Sequence, residues 1–291
     1  MSIFVVGATS QIGHFLLPRL REAGIDVIAL SRHGGKTDTP QLRWLSGDLG
    51  QLPVFPEAAG AALQGIVSFG PLEALAGWLG RMPAAPAPRL VATSSMSVLT
   101  KQSSGIESER EMVRHLAVGE ARVIEQCRRL GIGWTLLRPT LIYGAGLDRN
   151  ITPIAQRAAR WRLFPLPAGD GLRQPVHADD LADAILRCLS RENAQGRTLS
   201  LGGGERLRAS EMFARVRAGL PLYTVPVRLW RPLLGLMAWL LPATRGPISR
   251  LRKDLIVDNA EAMQLLEIQP RPFRPDPGML GFPDTPARGR S

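Results

Sequence analysis

Short apolar runs alternate with longer amphipathic stretches along the first half of the chain. The apolar runs predict β-strands at residues 2–6, 26–30, 43–45, 66–69, 90–94 and 134–137. Apolar side chains recur at helical spacing between most of these runs, which predicts helices over 14–23, 71–81 and 108–130. Because strands that alternate with helices usually pair in parallel, the pattern predicts an α/β fold with a doubly wound parallel sheet.

The pattern changes beyond Gly144, where short helices and loops follow one another. Asp179 or Asp180 would stabilise the start of a helix over 179–189 through the helix dipole. Asn259 is the predicted N-cap of the last helix. The remaining elements are a strand at 199–201 that runs into a turn of three glycines, and a helix over 210–220.

Two domains follow from this change of pattern. The sheet domain is expected over residues 1–144 with parts of 175–202, and a smaller, mostly helical lobe over 145–291. The chain has 291 residues, which is ample length for a buried core in each.

A glycine-containing turn joins the first predicted strand to the first predicted helix. This strand–turn–helix context is typical of a nucleotide site, because the amides at the helix start and the helix dipole favour a pyrophosphate. Gly7 permits the tight turn and Gly13 permits close packing of the helix on the sheet. Ser10 stands where a third glycine is usual. The predicted contacts are Gly7, Ala8, Thr9, Ser10, Gln11, Ile12 and Gly13.

The net charge is +11, and arginine supplies nearly all of it because Lys36, Lys101 and Lys253 are the only lysines. Such a balance suits nucleic acid, anionic lipid or an acidic partner. Nucleic acid is disfavoured, since no zinc-finger spacing occurs and only 5% of the residues are aromatic. Arginine-rich, solvated faces explain the charge more simply.

Neither cysteine belongs to a recognisable site. Cys127 and Cys188 lie in amphipathic helical patterns, where they supply neither a disulfide framework nor metal-ligand spacing, so no metal is expected. No signal-peptide pattern precedes the first strand, and we therefore expect a cytoplasmic protein.

The motifs, taken in order, resemble those of the extended and atypical short-chain dehydrogenase/reductase superfamily, the NAD(P)-dependent epimerase/dehydratase group. The resemblance covers nearly the whole chain and implies a Rossmann-type fold. It rests on segments 7–13, 47–49, 91–95, 137–144 and 175–182.

The end of the second strand predicts which cofactor is bound. An acidic residue there would bond the ribose hydroxyls of NAD and repel a 2′-phosphate, and none is present. Arg32 suits a 2′-phosphate through paired, charge-assisted hydrogen bonds, Ser31 adds a short one, and Lys36 is a further candidate. NADP(H) is therefore preferred over NAD.

The resemblance implies further cofactor contacts. Asp48 would bond the adenine amine while Leu49 packs on the ring, and Ser68, Phe69 and Gly70 would lie beside the adenosine ribose. The contacts that complete the set are Pro139, Thr140 and Leu141.

Active members of the family use a Tyr-x-x-x-Lys pair on the long helix after the fifth strand, where the lysine lowers the pKa of the tyrosine. The only tyrosines of this chain, Tyr143 and Tyr223, are not on that helix. Alignment on Glu125 places Ala117 and Ala121 at the two positions. An offset of one residue places Leu116 and Glu120 there, so the pair is absent under either alignment.

Other residues are left to carry any chemistry. Ser94 or Ser95 keeps the place of the serine that bonds a substrate oxygen, and His115 is a candidate substitute acid because its reference pKa is near neutrality. Tyr143 and Asn150 are the expected substrate contacts, with Tyr143 also closing the cofactor site by packing. His177 is expected to be structural.

An uncharged stretch of thirteen residues, 232–244, has arginines on both sides. It is too short to span a bilayer. Its composition fits an interfacial helix on anionic lipid, a helix that covers the core of the small lobe, or a dimer contact, all within residues 229–253.

Two functions remain open. One is an NADP-dependent oxidoreductase or epimerase that acts on a nucleotide-sugar or another small carbonyl substrate. The other is a cofactor-binding sensor, scaffold or assembly subunit without turnover.

Overall fold

The computed structural model describes residues 2–32, 37–52, 63–241 and 244–283. The strands are β1 Ser2–Val6, β2 Asp26–Ser31, β3 Leu42–Ser46, β4 Leu63–Ser68, β5 Arg89–Thr93, β6 Gly133–Pro139, β7 Ile142–Tyr143, β8 Leu163–Pro167, β9 Leu172–Arg173, β10 Val176–His177, β11 Arg197–Leu201, β12 Leu207–Arg208 and β13 Val225–Leu229. The helices are α1 Gln11–Glu22, α2 Leu72–Gly80, α3 Ser97–Thr100, α4 Glu107–Leu130, α5 Thr152–Trp161, α6 Ala178–Ser190, α7 Ala209–Ala218, α8 Arg231–Leu240, α9 Arg245–Arg250 and α10 Ala260–Leu266.

The chain forms two compact units. Unit 1 consists of residues 1–139, 179–201 and 258–269, and unit 2 of residues 140–178, 202–257 and 270–291. Among the described residues, no helix combines the length and the apolar character needed to cross a membrane.

Unit 1 is built on a seven-stranded sheet in the order β11-β6-β5-β4-β1-β2-β3. Every pair of neighbouring strands is parallel. This arrangement confirms the predicted doubly wound, Rossmann-type fold. The strand order reverses between β1 and β4, and ligands of such sheets bind at the carboxyl ends of the strands at that point.

The sheet forms because its strands are apolar on both faces. All five residues of β1 are buried, and so are the last five of β2. On one face, the Phe4 and Trp78 rings pack with centroids 5.6 Å apart, which ties β1 to α2. On α1, the buried side chains of Ile12, Leu16 and Leu20 recur every four residues and present one continuous apolar face.

The starts of α1 and α10 depend on the side chains next to them. Helix α1 begins three residues before the predicted start at residue 14, because the Ser10 hydroxyl accepts a hydrogen bond from the Gly13 amide and caps it. At α10 the prediction is confirmed in position: Asn259 is the N-cap residue, although its side chain makes no capping bond. The Asp258 carboxylate instead accepts a hydrogen bond from the Ala260 amide at 3.0 Å.

Unit 2 combines short helices with three two-stranded sheets, which pair β7 with β10, β9 with β12 and β8 with β13. Its core surrounds Tyr143, Phe164 and Phe273, each at most 1% exposed. The Asp148 carboxylate, which is 7% exposed, accepts hydrogen bonds from the Asn150 and Thr152 amides and so stabilises the start of α5.

The exposure of α8 contradicts one of the three interpretations of residues 229–253, namely that the helix covers the core of the small lobe. Had α8 covered the core of the lobe, its large apolar side chains would be buried. Leu233, Leu236, Trp239 and Leu240 are instead 42%, 51%, 72% and 57% exposed. The core-covering interpretation is therefore wrong for these side chains.

Candidate functional site

The turn after β1 is anchored to the end of β2. Gly7 has a φ of +73°, a conformation that favours glycine. The amides of Gly7 and Ala8 both donate to the Leu30 carbonyl, at 3.1 and 3.3 Å. These bonds place the turn beside the strand end that carries Ser31 and Arg32.

The start of α1 approaches the same turn closely. A Cβ added to Gly13 would lie 2.1 Å from the Ala8 carbonyl oxygen, so no other residue fits without moving the backbone. The first turn of α1 contains no acidic residue, and the positive end of its dipole is therefore not neutralised by its own side chains. Thr9 is exposed in front of this helix start, whereas Ala8 and Ile12 are buried.

The end of β4 lies directly across from the glycine turn. An added Cβ on Gly7 would lie 3.3 Å from the Phe69 Cβ. The Phe69 amide donates to the Val6 carbonyl at 2.9 Å, and the Ser68 hydroxyl accepts from the Gly70 amide at 3.3 Å. The structure thus brings segment 68–70 to the turn at the point where the strand order reverses.

The residues that would surround the adenosine end differ in their exposure. Ser31 is 6% exposed and Arg32 is exposed, while Lys36 lies outside the described residues. The Asp48 carboxylate accepts a hydrogen bond from the Gly50 amide at 2.8 Å. Leu49 is 3% exposed within the core of unit 1, and its carbonyl accepts a hydrogen bond from Arg81 at 2.8 Å.

The two serines after β5 have different surroundings. The Ser95 hydroxyl accepts a hydrogen bond from the Ser97 amide at 3.1 Å, which orients it at the start of α3 and leaves its proton free to donate. The Ser94 amide donates to the Leu137 carbonyl at 2.7 Å and fixes the backbone to β6. The Ser94 hydroxyl oxygen is buried and has no hydrogen-bond partner among the described residues. Both hydroxyls can therefore donate a hydrogen bond to a ligand oxygen, and Ser94 is the one that has no partner of its own among the described residues.

The long helix α4 carries a nearly buried ion pair that the sequence did not indicate. Arg138 Nε on β6 lies 2.8 Å from Glu120 Oε1, and the second guanidinium nitrogen contacts Glu120 Oε2. The side chains are 20% and 6% exposed, respectively. The hydrogen bond from Arg138 to Glu120 raises the pKa of the arginine above its ordinary value, against the opposing effect of its burial.

This pair fixes which side of α4 faces the sheet, and it suggests a third alignment beside the two made from the sequence. Glu125, Ala117 and Ala121 are all exposed, while Glu120 lies on the buried stripe of the helix. A tyrosine and a lysine that reach a cofactor above the sheet must stand near that stripe. With Glu120 as the glutamate that follows the lysine by four residues, Leu116 takes the lysine position and Met112 the tyrosine position. The Tyr-x-x-x-Lys pair is missing in this register as well.

His115 lies on the solvent side of α4, toward α2. Its side chain is 64% exposed, and its Nδ1 is 3.2 Å from Glu73 Oε1 on α2. Its Nε2 is 4.0 Å from Glu111 Oε1 one turn earlier. No contact joins His115 to Ser94 or to the glycine turn, so its role as a substitute acid stays a prediction without geometric support.

In unit 2, Tyr143 and His177 belong to the packed interior. Tyr143 is 1% exposed, and its ring meets those of His177 and Phe273 edge-on at centroid distances of 5.0 and 4.7 Å. A Cβ on Gly144 would lie 2.4 Å from His177 Nε2. This packing agrees with the structural role predicted for His177, and the substrate role of Tyr143 stays a prediction.

The last predicted contacts fall in both units. In unit 1, the Pro139 carbonyl accepts a hydrogen bond from the Met96 amide at 3.0 Å. In unit 2, the Thr140 hydroxyl donates to the Gln174 carbonyl and the Leu141 carbonyl accepts from the Val176 amide at 2.8 Å. Asn150 is exposed after the Asp148 turn. The substrate and cofactor roles of these residues stay predictions.

Neither cysteine is a reactive thiol. Burial raises the pKa of Cys127 and of Cys188 to about 12, which keeps both as neutral thiols at ordinary pH. Within the described ranges, no cluster of histidine, cysteine or acidic residues has the arrangement to hold a metal ion.

Comparisons with solved structures support the fold over the whole chain. MoeE5 in complex with UDP-glucuronic acid and NAD is 18% identical, with a TM-score of 0.69 and coverage of 94% of this chain and 95% of that one. UDP-glucuronic acid 4-epimerase from Bacillus cereus in complex with NAD is 14% identical, with a TM-score of 0.70 and 94% of each chain covered. The epimerase Mth375 from Methanothermobacter thermautotrophicus is 17% identical, with a TM-score of 0.70 and coverage of 96% and 89%.

At the level of sequence, no curated protein matches the chain. Residues 87–202 match the model of the NAD dependent epimerase/dehydratase family. This range begins two residues before β5 and ends one residue after β11. The resemblance drawn from the motifs is thereby confirmed over residues 87–202, which are similar to that family.

Proposed function

We propose that unit 1 binds NADP(H) at the switch between β1 and β4, and that the chain acts slowly on a small carbonyl substrate such as a nucleotide-sugar. One observation carries the binding proposal. The Gly7 turn, the Ser10-capped start of α1 and the end of β2 are held together by the two amide bonds to the Leu30 carbonyl. An anionic pyrophosphate at this helix start would meet unneutralised amide dipoles.

The end of β2 supports NADP(H) over NAD(H). Two of the solved structures of similar fold that are cited above, MoeE5 and UDP-glucuronic acid 4-epimerase, contain NAD. In this chain the exposed Arg32 follows the buried Ser31, and no carboxylate stands there to repel a 2′-phosphate. A guanidinium can donate two parallel hydrogen bonds to such a phosphate.

The Ser94 hydroxyl supports a role in substrate handling. Its oxygen is buried and has no partner among the described residues, and its backbone is fixed to β6 through its own amide, whereas the neighbouring Ser95 hydroxyl already accepts a bond from the Ser97 amide. A hydroxyl in this state can hold a carbonyl oxygen of the substrate in place. The bound nicotinamide would supply hydride transfer, and the chain itself would orient the substrate.

Slow turnover is expected because α4 has neither a tyrosine nor a lysine. General acid–base catalysis typically contributes about 10²–10⁴-fold to a rate, and no residue of α4 stands in a position to supply it. The same observation favours the second candidate, an NADP(H)-binding sensor, scaffold or subunit without turnover. Under this second candidate, Met112 and Leu116 stand where the tyrosine and the lysine would be, and the site binds cofactor without a proton donor.

Calorimetric titration of the full chain tests the binding proposal. NADPH should bind with measurable heat and more tightly than NADH. Equal affinities for the two cofactors would remove the assigned role of Arg32, and no binding of either would overturn the proposal.

Restoration of the missing pair separates the two candidates. In the presence of NADP(H) and a panel of nucleotide-sugars, the double variant Met112→Tyr/Leu116→Lys should gain turnover of at least about tenfold over the natural chain. The matched control, Ala117→Tyr/Ala121→Lys, places the same residues on the exposed side of α4 and should gain nothing. Absence of turnover in all three proteins, with NADPH bound, would decide for the silent candidate.

A further inference from the structure

An exposed apolar surface covers α8 and the residues beside it in unit 2. It consists of Trp230, Leu233, Leu236, Trp239, Leu240 and Leu241, which we call the α8 surface. The two tryptophans are 69% and 72% exposed, so neither ring is used by the interior of the protein. Large indole rings in this state are typical of sites that bind another surface.

Three exposed leucines form a stripe along α8. Leu233, Leu236 and Leu240 are spaced three and four residues apart, and Trp239 lies three residues after Leu236. Strand β13 precedes α8 directly and adds Val225 and Val227, which are 48% and 38% exposed. A helix of ten residues is about 15 Å long, half the thickness of a hydrocarbon core, so it suits a position along a membrane surface.

The sequence around this surface is basic, although one of its arginines, Arg215, is paired with Glu205 and Glu211. From Met212 to Lys253 the sequence contains no aspartate and no glutamate. The same stretch contains eight basic residues, namely Arg215, Arg217, Arg228, Arg231, Arg245, Arg250, Arg252 and Lys253. Arg228 and Arg252 are exposed. A second copy of this chain would bring two such basic stretches together, which repulsion opposes, whereas an anionic surface is complementary to them.

We propose that the α8 surface binds the headgroup region of anionic phospholipid membranes. The leucines and tryptophans of α8 enter the boundary between headgroups and acyl chains, and the flanking arginines meet the lipid phosphates. The proposal uses residues of unit 2 alone, so the inference stands independently of the proposed cofactor function.

Vesicle flotation of the full chain tests the proposal. One set of vesicles contains phosphatidylcholine alone, and the other contains an equal mixture of phosphatidylcholine and phosphatidylglycerol. The protein should float with the mixed vesicles only, and added salt should weaken this binding. Arg228→Gln and Arg252→Gln should each weaken it by about fivefold, the contribution expected of one basic residue near an anionic surface.

The variant Leu236→Gln/Trp239→Gln removes the centre of the stripe at two exposed positions, where the fold does not depend on either side chain. It should lower binding to the mixed vesicles by about tenfold or more. The matched control is Met263→Gln, which changes an exposed apolar side chain on α10, 37% exposed, and should bind like the natural chain.

Three results would overturn the proposal. The first is the absence of binding to the mixed vesicles, and the second is undiminished binding by the Leu236→Gln/Trp239→Gln variant. The third is light scattering that finds the natural chain to be a dimer and this variant a monomer, which would assign the α8 surface to contact between copies.

Discussion

Glu120 in the middle of α4 and Arg138 near the end of β6 form an ion pair that is nearly closed to solvent. Removal of one partner leaves the other charge in a poorly hydrated place, which costs more than the pair itself contributes. The pair therefore locks the rotation of α4 on the sheet more than it adds to stability.

The variant Glu120→Leu should lower the free energy of unfolding by about 2–4 kcal/mol, because Arg138 loses its carboxylate. The double variant Glu120→Leu/Arg138→Met should recover most of that loss, since no charge is left uncompensated. Urea unfolding measures both. Glu125→Leu on the exposed side of α4 is the control and should change stability by less than about 0.5 kcal/mol. An equal loss in the single and double variants would contradict the ion-pair explanation.

The second prediction concerns the choice of cofactor. Arg32→Ala should weaken NADPH binding about ten- to a hundredfold and leave NADH binding nearly unchanged, because only NADPH carries the 2′-phosphate that the guanidinium would bond. Titration calorimetry with both cofactors measures the difference. Arg21→Ala, at an exposed arginine near the other end of α1, should behave like the natural chain. An equal loss of affinity for the two cofactors would place Arg32 away from the phosphate.

The third prediction tests the glycine turn. Gly7→Val should abolish binding of NADPH, since a branched side chain both strains a φ of +73° and crowds the Phe69 Cβ. Fluorescence of bound NADPH is the measurement. Gly24→Val carries similar strain at a φ of +70° but meets no atom within 4 Å, and it should retain binding. If both folded variants bind equally well, the cofactor does not occupy this turn.

The fourth prediction separates the three candidate catalytic residues. Ser94→Ala should lower kcat of any NADP-dependent turnover without changing cofactor affinity, which is the behaviour of a group that acts in the transition state. Ser95→Ala should mainly lower stability, by about 0.5–1.5 kcal/mol, because the Ser97 amide loses its hydrogen-bond acceptor. His115→Ala should leave kcat and stability nearly unchanged, because the His115 side chain is exposed and turned toward Glu73. Steady-state kinetics and urea unfolding together decide, and brisk turnover in all three variants would direct the search for an acid to Tyr143.

The sheet could be predicted from the sequence because its strands are apolar runs between glycine turns and periodic helices. The two-residue strands of unit 2 could not, since a run of two residues has no period. The cap at Ser10 could have been predicted, because a serine directly before an amphipathic run is typical of an N-cap. We interpreted Ser10 only as part of the glycine pattern. The sequence contains no signal for the register of α4. Glu120 and Glu125 are both glutamates on the same helix, and only the contact of Glu120 with Arg138 on β6 distinguishes them.

The arrangement of unit 1 along the chain affects how this protein can emerge from a ribosome. Strand β11 pairs residues 197–201 with residues 135–139, and α10 joins unit 1 later still, so the unit is complete only after residue 269 has been made. Until then β6 presents an unpaired apolar edge, which is a template for unwanted strand pairing. A fragment that ends near residue 144 would keep that edge permanently. The nucleotide-binding half should therefore be produced as part of the whole chain rather than as an isolated amino-terminal piece.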